Sequence, residues 1–185
     1  MNVQAKDPNL KDPSPSASRR RTQAERRAEG ERALLYAAAE LFAEQGIVQT
    51  SLAQIGQRAG YSRGLVNHHF GTKEALIDRL ARQCQEQFWQ AFAEIDVETG
   101  LAGILATIDT YFGHVERPTA YGRAFLVMWG AALPAVSTAP SIAEADARTR
   151  KAFIGWIRTG HRDGSICRDV QAAPFAAILL GMLHG

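Results

Sequence analysis

TSLAQIGQRAGYSRGLVNHHFGTKE, residues 50–74, is the stretch whose reading decides the fold. Leu52, Ile55 and Ala59 recur at three and four residues, so the spacing predicts a short helix with one apolar face. Thr50 or Ser51 can cap it, and Ser51 with Gln54 fits a capping box. Gly60 supplies the positive φ that ends it. Ser62 then caps a second helix with apolar positions Leu65, Val66 and Phe70. Its polar positions, Arg63, Asn67, His68 and His69, have little reason to be buried. Gly71 stops that helix, Thr72 caps the next, and Lys73 sits in its first turn.

A short helix, a glycine turn and a second helix with a polar outer face make a helix-turn-helix. No Asp or Glu stands between Glu44 and Glu74, whereas Arg58, Arg63 and Lys73 lie inside that interval. A surface that approaches DNA phosphates must lack carboxylates, which would repel the backbone. Arginine can pair with guanine through two hydrogen bonds and asparagine with adenine.

The run from Arg32 to Leu76 resembles the DNA-binding domain of the TetR family of transcriptional regulators. The matching pieces are A-x-x-L-F-x-x-x-G (Ala38 to Gly46), T-S-x-x-x-I from Thr50, A-G-x-S-x-G from Ala59, and H-F-G-T-K-E-A-L from His69. The chain departs from the family at Asn67, where tyrosine is usual, and at His68, where tyrosine is frequent. The resemblance implies contacts to double-stranded DNA, a palindromic operator, from Ser62, Arg63, Gly64, Asn67, His68, His69 and Lys73. Thr50 and Ser51 would meet phosphates at the start of the second helix, where free amides favour anions. It also implies a homodimer and a downstream domain that senses a small hydrophobic effector, in a repressor released from DNA by that effector.

Composition fits an ordinary globular chain: 46% apolar and 22% charged residues, with a net charge of only +2. The distribution of charge says more than the total. Residues 1–93 carry thirteen basic and ten acidic side chains, and the remainder eight and nine. The basic half is the half with the helix-turn-helix. Cys84 and Cys167, with no C-x-x-C, read as reduced thiols of a cytoplasmic protein. Residues 1–22 are polar and proline-containing and lack a signal-peptide core; they read as a disordered tail ending in Arg19, Arg20 and Arg21. The longest apolar run, Ala172–Leu183, is too short to span a bilayer. No cofactor, metal or membrane partner is expected: His68 and His69 are adjacent on a helix and diverge by roughly 100°.

Leu34, Leu35, Ala38, Leu41 and Phe42 predict a helix from about Ala24 to Gln45, ended by Gly46. Leu76, Ile77, Leu80, Cys84, Phe88 and Phe92 predict a long linking helix over 73–95. Apolar helices follow from Leu101, over about 120–133, and from Ser141 as a cap to about Thr159. A last one begins near 171–174. The fold class is therefore all-α, with three segments: a tail (1–22), the helix-turn-helix domain (23–72) and a helical domain (73–185), for which the resemblance implies effector binding and dimerisation. In the resembled family the last two long helices form the dimer interface. The final helix here is shorter than that interface needs, so either it is truncated or dimerisation leans on the helix before it. Tyr111, His114, Tyr121, Arg123, Phe125, Met128 and Trp129 offer polar tips on apolar bodies and are the candidate lining of a cavity.

Two other readings stay open at this point. One is a DNA-binding regulator without a small-molecule effector. The other is a serine hydrolase, because Gly60, Ser62 and Gly64 match G-x-S-x-G. That elbow needs a strand before the serine, and the residues preceding Ser62 carry a helical pattern.

Overall fold

The computed structural model describes residues 22–116, 119–132 and 140–184. Among them are eight helices and no strand: α1 (Gln23–Gln49), α2 (Leu52–Arg58), α3 (Arg63–Phe70), α4 (Lys73–Ala93), α5 (Gly100–Glu116), α6 (Ala120–Ala132), α7 (Pro140–Asp163) and α8 (Ala172–His184). The tail expected over 1–22 lies, Thr22 apart, outside the described residues. None of the described helices is long and apolar enough to cross a membrane.

α1 starts at a capping box between Thr22 and Glu25. Its regular part ends at Gly46, where φ is 79°, leaving one further turn to Gln49. The apolar stripe read from the sequence is the buried one: Leu34, Leu35, Ala38 and Phe42 are all fully inside. Ile55 of α2, Val66 of α3 and Leu76 and Leu80 of α4 close over it in one cluster. Burying each such aliphatic side chain stabilises the fold by about 2 kcal/mol, so three short elements can be held firmly by few residues.

This cluster continues across residue 73. α6 lies along α1 and contributes Ala120, Ala124 and Met128 to the same core, with Tyr121 edge-on to Tyr36 at 5.9 Å between ring centroids. A second cluster joins α5, α7 and α8 through Ile104, Phe153, Ile157, Ala176, Leu179 and Leu183.

One expected cap is corrected. α7 begins at Pro140, and Ser141 is buried within it rather than capping it. The Ser141 amide donates to Asp78 Oδ1 of α4 at 3.3 Å, and Gln85 Nε2 donates to the Ser141 carbonyl at 2.7 Å. A carboxylate from a neighbouring helix thus serves the first turn. Burial would raise the Asp78 carboxyl, but hydrogen bonds from Ser141 and Arg82 outweigh it and hold it below the usual carboxylate range. Arg82 also reaches Glu144 at 2.6 Å, so α4 and α7 are tied by polar groups as well as packing.

Candidate nucleic-acid interface and cavity

The local chemistry of α2 and α3 is the one the sequence spells out. Ser51 caps α2 in a reciprocal box: its amide donates to Gln54 Oε1 at 2.8 Å, and the Gln54 amide donates to Ser51 Oγ at 3.2 Å. Gly60 has φ 77° and Gly71 has φ 74°. Ser62 Oγ accepts from the Leu65 amide at 3.3 Å and caps α3. The serine of the G-x-S-x-G match therefore starts a helix that is itself preceded by a helix, which is not a nucleophile elbow.

α3 presents its faces as expected. Val66 is fully buried and Leu65 and Phe70 are partly covered, while Arg63, Gly64, Asn67 and His68 are exposed. The side chains of Arg63 and Asn67 make no hydrogen bond or ion pair among the described residues. Their donors are open to a partner.

His69 is turned toward α1. Its Nε2 would stand 3.4 Å from a β-carbon placed on Gly30, which is buried beneath it. Burial holds its imidazole below the ordinary histidine range, with Glu31 opposing and Arg27 reinforcing. Lys73, half-buried, donates from Nζ to the Ile47 carbonyl at the end of α1. It ties α4 to α1 and keeps further N–H donors.

Thr50 does not belong to this surface. It is 1% exposed, and its hydroxyl donates to the Gly46 carbonyl at 2.8 Å while accepting from Gln45 Nε2 at 3.1 Å. Its methyl and hydroxyl fill the bend after α1, so Ser51 alone caps α2. Arg58 is also committed: both its terminal nitrogens reach Glu44, at 3.0 and 2.8 Å, and Glu40 lies 3.5 Å away.

Gly56 was not among the residues singled out, yet it sets the packing of α3. A β-carbon there would come within 2.9 Å of the Tyr61 carbonyl oxygen and 3.0 Å of Val66 Cγ2. The available signal was a glycine inside a helical pattern, which costs propensity unless something packs against it.

An apolar cavity of about 770 Å³, counted out to its open mouth, lies between α4, α5, α6 and α7. Of the candidate lining residues, Tyr111, Tyr121 and Phe125 border it. Met128 is in the core shared with α1, and Trp129 packs partly buried against that core. Arg123 is exposed and the side chain of His114 lies outside the described residues. The main wall missed by the sequence reading is α4, through Cys84, Gln85, Phe88 and Trp89, with Asp146 and Thr149 of α7 opposite. Phe88 and Cys84 were legible as a buried stripe, but a stripe does not announce whether it faces packing or space.

Burial pushes the Cys84 thiol up to about 12, and its Sγ lies 3.3 Å from the Tyr121 carbonyl oxygen. Cys167 is exposed. Only thiolates alkylate readily, so iodoacetamide at pH 8 is expected to modify Cys167 quickly and Cys84 only after denaturation. Mass spectrometry of the native protein should show one adduct; two at equal rates would contradict the burial.

The family model for bacterial regulatory proteins of the tetR family matches residues 34–80. The chain is 31% identical over 178 residues to the HTH-type transcriptional repressor BepR of Brucella suis, covering 90% of this chain and 82% of that one. It is 29% identical over 143 residues to the HTH-type transcriptional repressor KstR2 of Rhodococcus jostii, covering 75% and 68%. Among solved structures, GusR of Salmonella enterica superposes with a TM-score of 0.71 at 26% identity, covering 85% of this chain and 81% of that one. With a carboxylate-poor recognition helix held by this all-helical scaffold, the protein is a DNA-binding transcriptional regulator, and it belongs to the TetR family of bacterial regulatory proteins.

Proposed function

We propose that this regulator is a homodimeric repressor released from a palindromic operator by a small hydrophobic effector. In this reading residues 23–72 form the DNA-binding unit and 73–185 the effector-binding and dimerisation unit. Arg63, Asn67 and His68 read base edges, and Ser51, Ser62, Gly64, His69 and Lys73 contact or position phosphates. Thr50 supports the surface from inside.

The observation that carries the reading is the sharing of helices between surface and cavity. α4 carries Leu76 and Leu80 in the core under α3, and a turn or two later Cys84, Phe88 and Trp89 in the cavity wall. α6 carries Tyr121 and Phe125 into the cavity and Ala124 and Met128 against α1. A molecule that spreads α4 from α6 would tilt the helix-turn-helix, and it releases DNA only to the extent that it favours that arrangement. Two copies of α3 must reach major grooves about 34 Å apart. Phe175, Ile178 and Met182 line one side of α8 and are 39%, 55% and 72% exposed. This apolar stripe supports pairing with a second copy.

The test is selection of duplexes from a random pool by the purified protein. A palindromic consensus supports both contact and dimer symmetry, and a non-palindromic one rejects the dimer. On that consensus, Arg63→Ala is expected to weaken binding by about 10- to 100-fold, the worth of a two-hydrogen-bond base contact, and to relax the preference at one position. A loss confined to effector response would remove Arg63 from the interface.

A further inference from the structure

Arg58, Arg63 and Lys73 differ in how much of each is free. Arg58 is held by Glu44 and Glu40, and Lys73 donates to the Ile47 carbonyl. Among the described residues the Arg63 guanidinium has no such partner, and neither has the Asn67 amide. Arg63 is the first residue of α3 and Asn67 the fifth, and both are exposed. Four residues bring a helix round to within about 40° of its starting direction and about 6 Å along its axis. The two side chains therefore leave the same side of α3, one above the other. Gly64 shares that exposed face. A β-carbon there would meet nothing closer than Ser62 Oγ at 3.7 Å. Alanine would fit the fold and is the better helix former, so the packing of α3 does not call for glycine at this position.

A bare backbone at Gly64 lets α3 come close to a duplex, and Asn67 needs it close. Its amide stands on a single methylene, whereas an arginine guanidinium is carried on a long flexible stem. Arginine pairs through two hydrogen bonds with guanine O6 and N7, and asparagine with adenine N6 and N7. A cytosine reader would be a carboxylate, and none stands between Glu44 and Glu74. Base pairs succeed each other at about 3.4 Å. Side chains about 6 Å apart on a helix lying along the groove therefore meet pairs about two steps apart. Resting on the reading of α3 as the helix that enters the major groove, we infer that each operator half-site holds a G·C pair and an A·T pair about two steps apart, the guanine read by Arg63 and the adenine by Asn67. Gly64 brings the α3 backbone near enough for the shorter side chain to reach.

The test is selection of duplexes from a random pool by the full-length protein and by three variants, Arg63→Ala, Asn67→Ala and Gly64→Ala. The wild-type consensus is expected to show both pairs at that spacing in each half-site. Asn67→Ala should lose the preference for adenine and keep that for guanine, and Arg63→Ala the reverse. Each should bind the wild-type consensus about 10- to 100-fold more weakly. Gly64→Ala should melt like the wild type and weaken both preferences, the adenine first. A palindromic consensus without the two pairs at that spacing overturns the inference and leaves the dimeric, operator-binding reading standing. An Asn67→Ala protein that binds all sequences more weakly with its preferences unchanged also overturns it, by placing Asn67 on the phosphates. A Gly64→Ala protein with both preferences intact removes the close approach and the inference with it. If the consensus holds both pairs but is not palindromic, the base assignment stands and the dimer falls. If the wild-type protein selects no duplex, the inference and the reading of α3 fall together.

Discussion

Gly56→Ala is expected to abolish specific operator binding, lowering affinity by about 100-fold or more, equivalent to about 2.7 kcal/mol. Gly56 lies inside α2, where alanine would ordinarily gain about 1 kcal/mol of helix propensity. Here the added carbon would stand 2.9 Å from the Tyr61 carbonyl oxygen and 3.3 Å from the Ser62 carbonyl carbon. Those are backbone atoms, drawn against α2 by the Tyr61 amide, which donates to the Gly56 carbonyl at 2.8 Å. They cannot rotate away as a flexible side chain would. Relief requires lifting the turn, and α3 lifts with it, since Ser62 caps α3 and Val66 also touches the new carbon at 3.0 Å. Overpacking of this kind costs about 1–3 kcal/mol, more than the propensity gain at its upper end. Binding should suffer more than stability, because the base contacts proposed for Arg63, Asn67 and His68 would all be displaced together with α3. Fluorescence anisotropy on the selected duplex and a circular dichroism melt measure the two effects. Operator affinity within about threefold of wild type would show that the turn yields without moving α3.

Gly100→Ala is the expected large loss in stability. The new β-carbon would fall on the Gly160 amide nitrogen and the Trp156 carbonyl of α7. Both are helical backbone, so α5 itself must move. It is pinned there: the Gly100 amide donates to Asp163 Oδ2 at 2.8 Å and the Leu101 amide to Ser165 Oγ at 3.1 Å. Displacement breaks those bonds and parts Ile104 from Phe153 and Ile157 in the second core cluster. A loss of about 3 kcal/mol or more is expected, which at about 2–4 °C per kcal/mol for a chain of this size lowers Tm by roughly 10 °C. Gly113→Ala on the same helix is the control. Nothing among the described residues lies within 4 Å of a β-carbon there, so the melt should hold or rise slightly with helix propensity. Equal losses from both variants would mean that the close approach of α7 is not what requires glycine at position 100.

Both glycines fall on the far side of the line between what was legible in the chain and what was not. Capping of α2 by Ser51 and Gln54, capping of α3 by Ser62, the positive φ at Gly60 and Gly71, and the outward face of Arg63, Asn67 and His68 all rest on neighbours within four residues. Such interactions are written in spacing, and the structure shows them where the spacing puts them. The helix borders follow for the same reason: α4 was expected over 73–95 and runs from Lys73 to Ala93.

Residues whose role depends on a partner far along the chain were read less well. Thr50 is a local exception: it looked like a cap or a phosphate contact and is instead buried in the bend after α1, hydrogen-bonded to Gly46 and Gln45. Ser141 looked like a cap and is served by Asp78, 63 residues away. Met128 and Trp129 looked like cavity lining, but α6 lies against α1 and takes them into or against the first core, while Phe125, a turn earlier, reaches the cavity.

By itself, then, the sequence determined the eight-helix succession, the helix-turn-helix and the polar side of α3, because caps, glycines and apolar periods act over a single turn. Only the tertiary structure decided which buried stripes meet atoms and which enclose space, and why Gly56 and Gly100 have no side chain. Those facts depend on how closely two helices approach, a distance set by every side chain between them and printed at no single position of the chain.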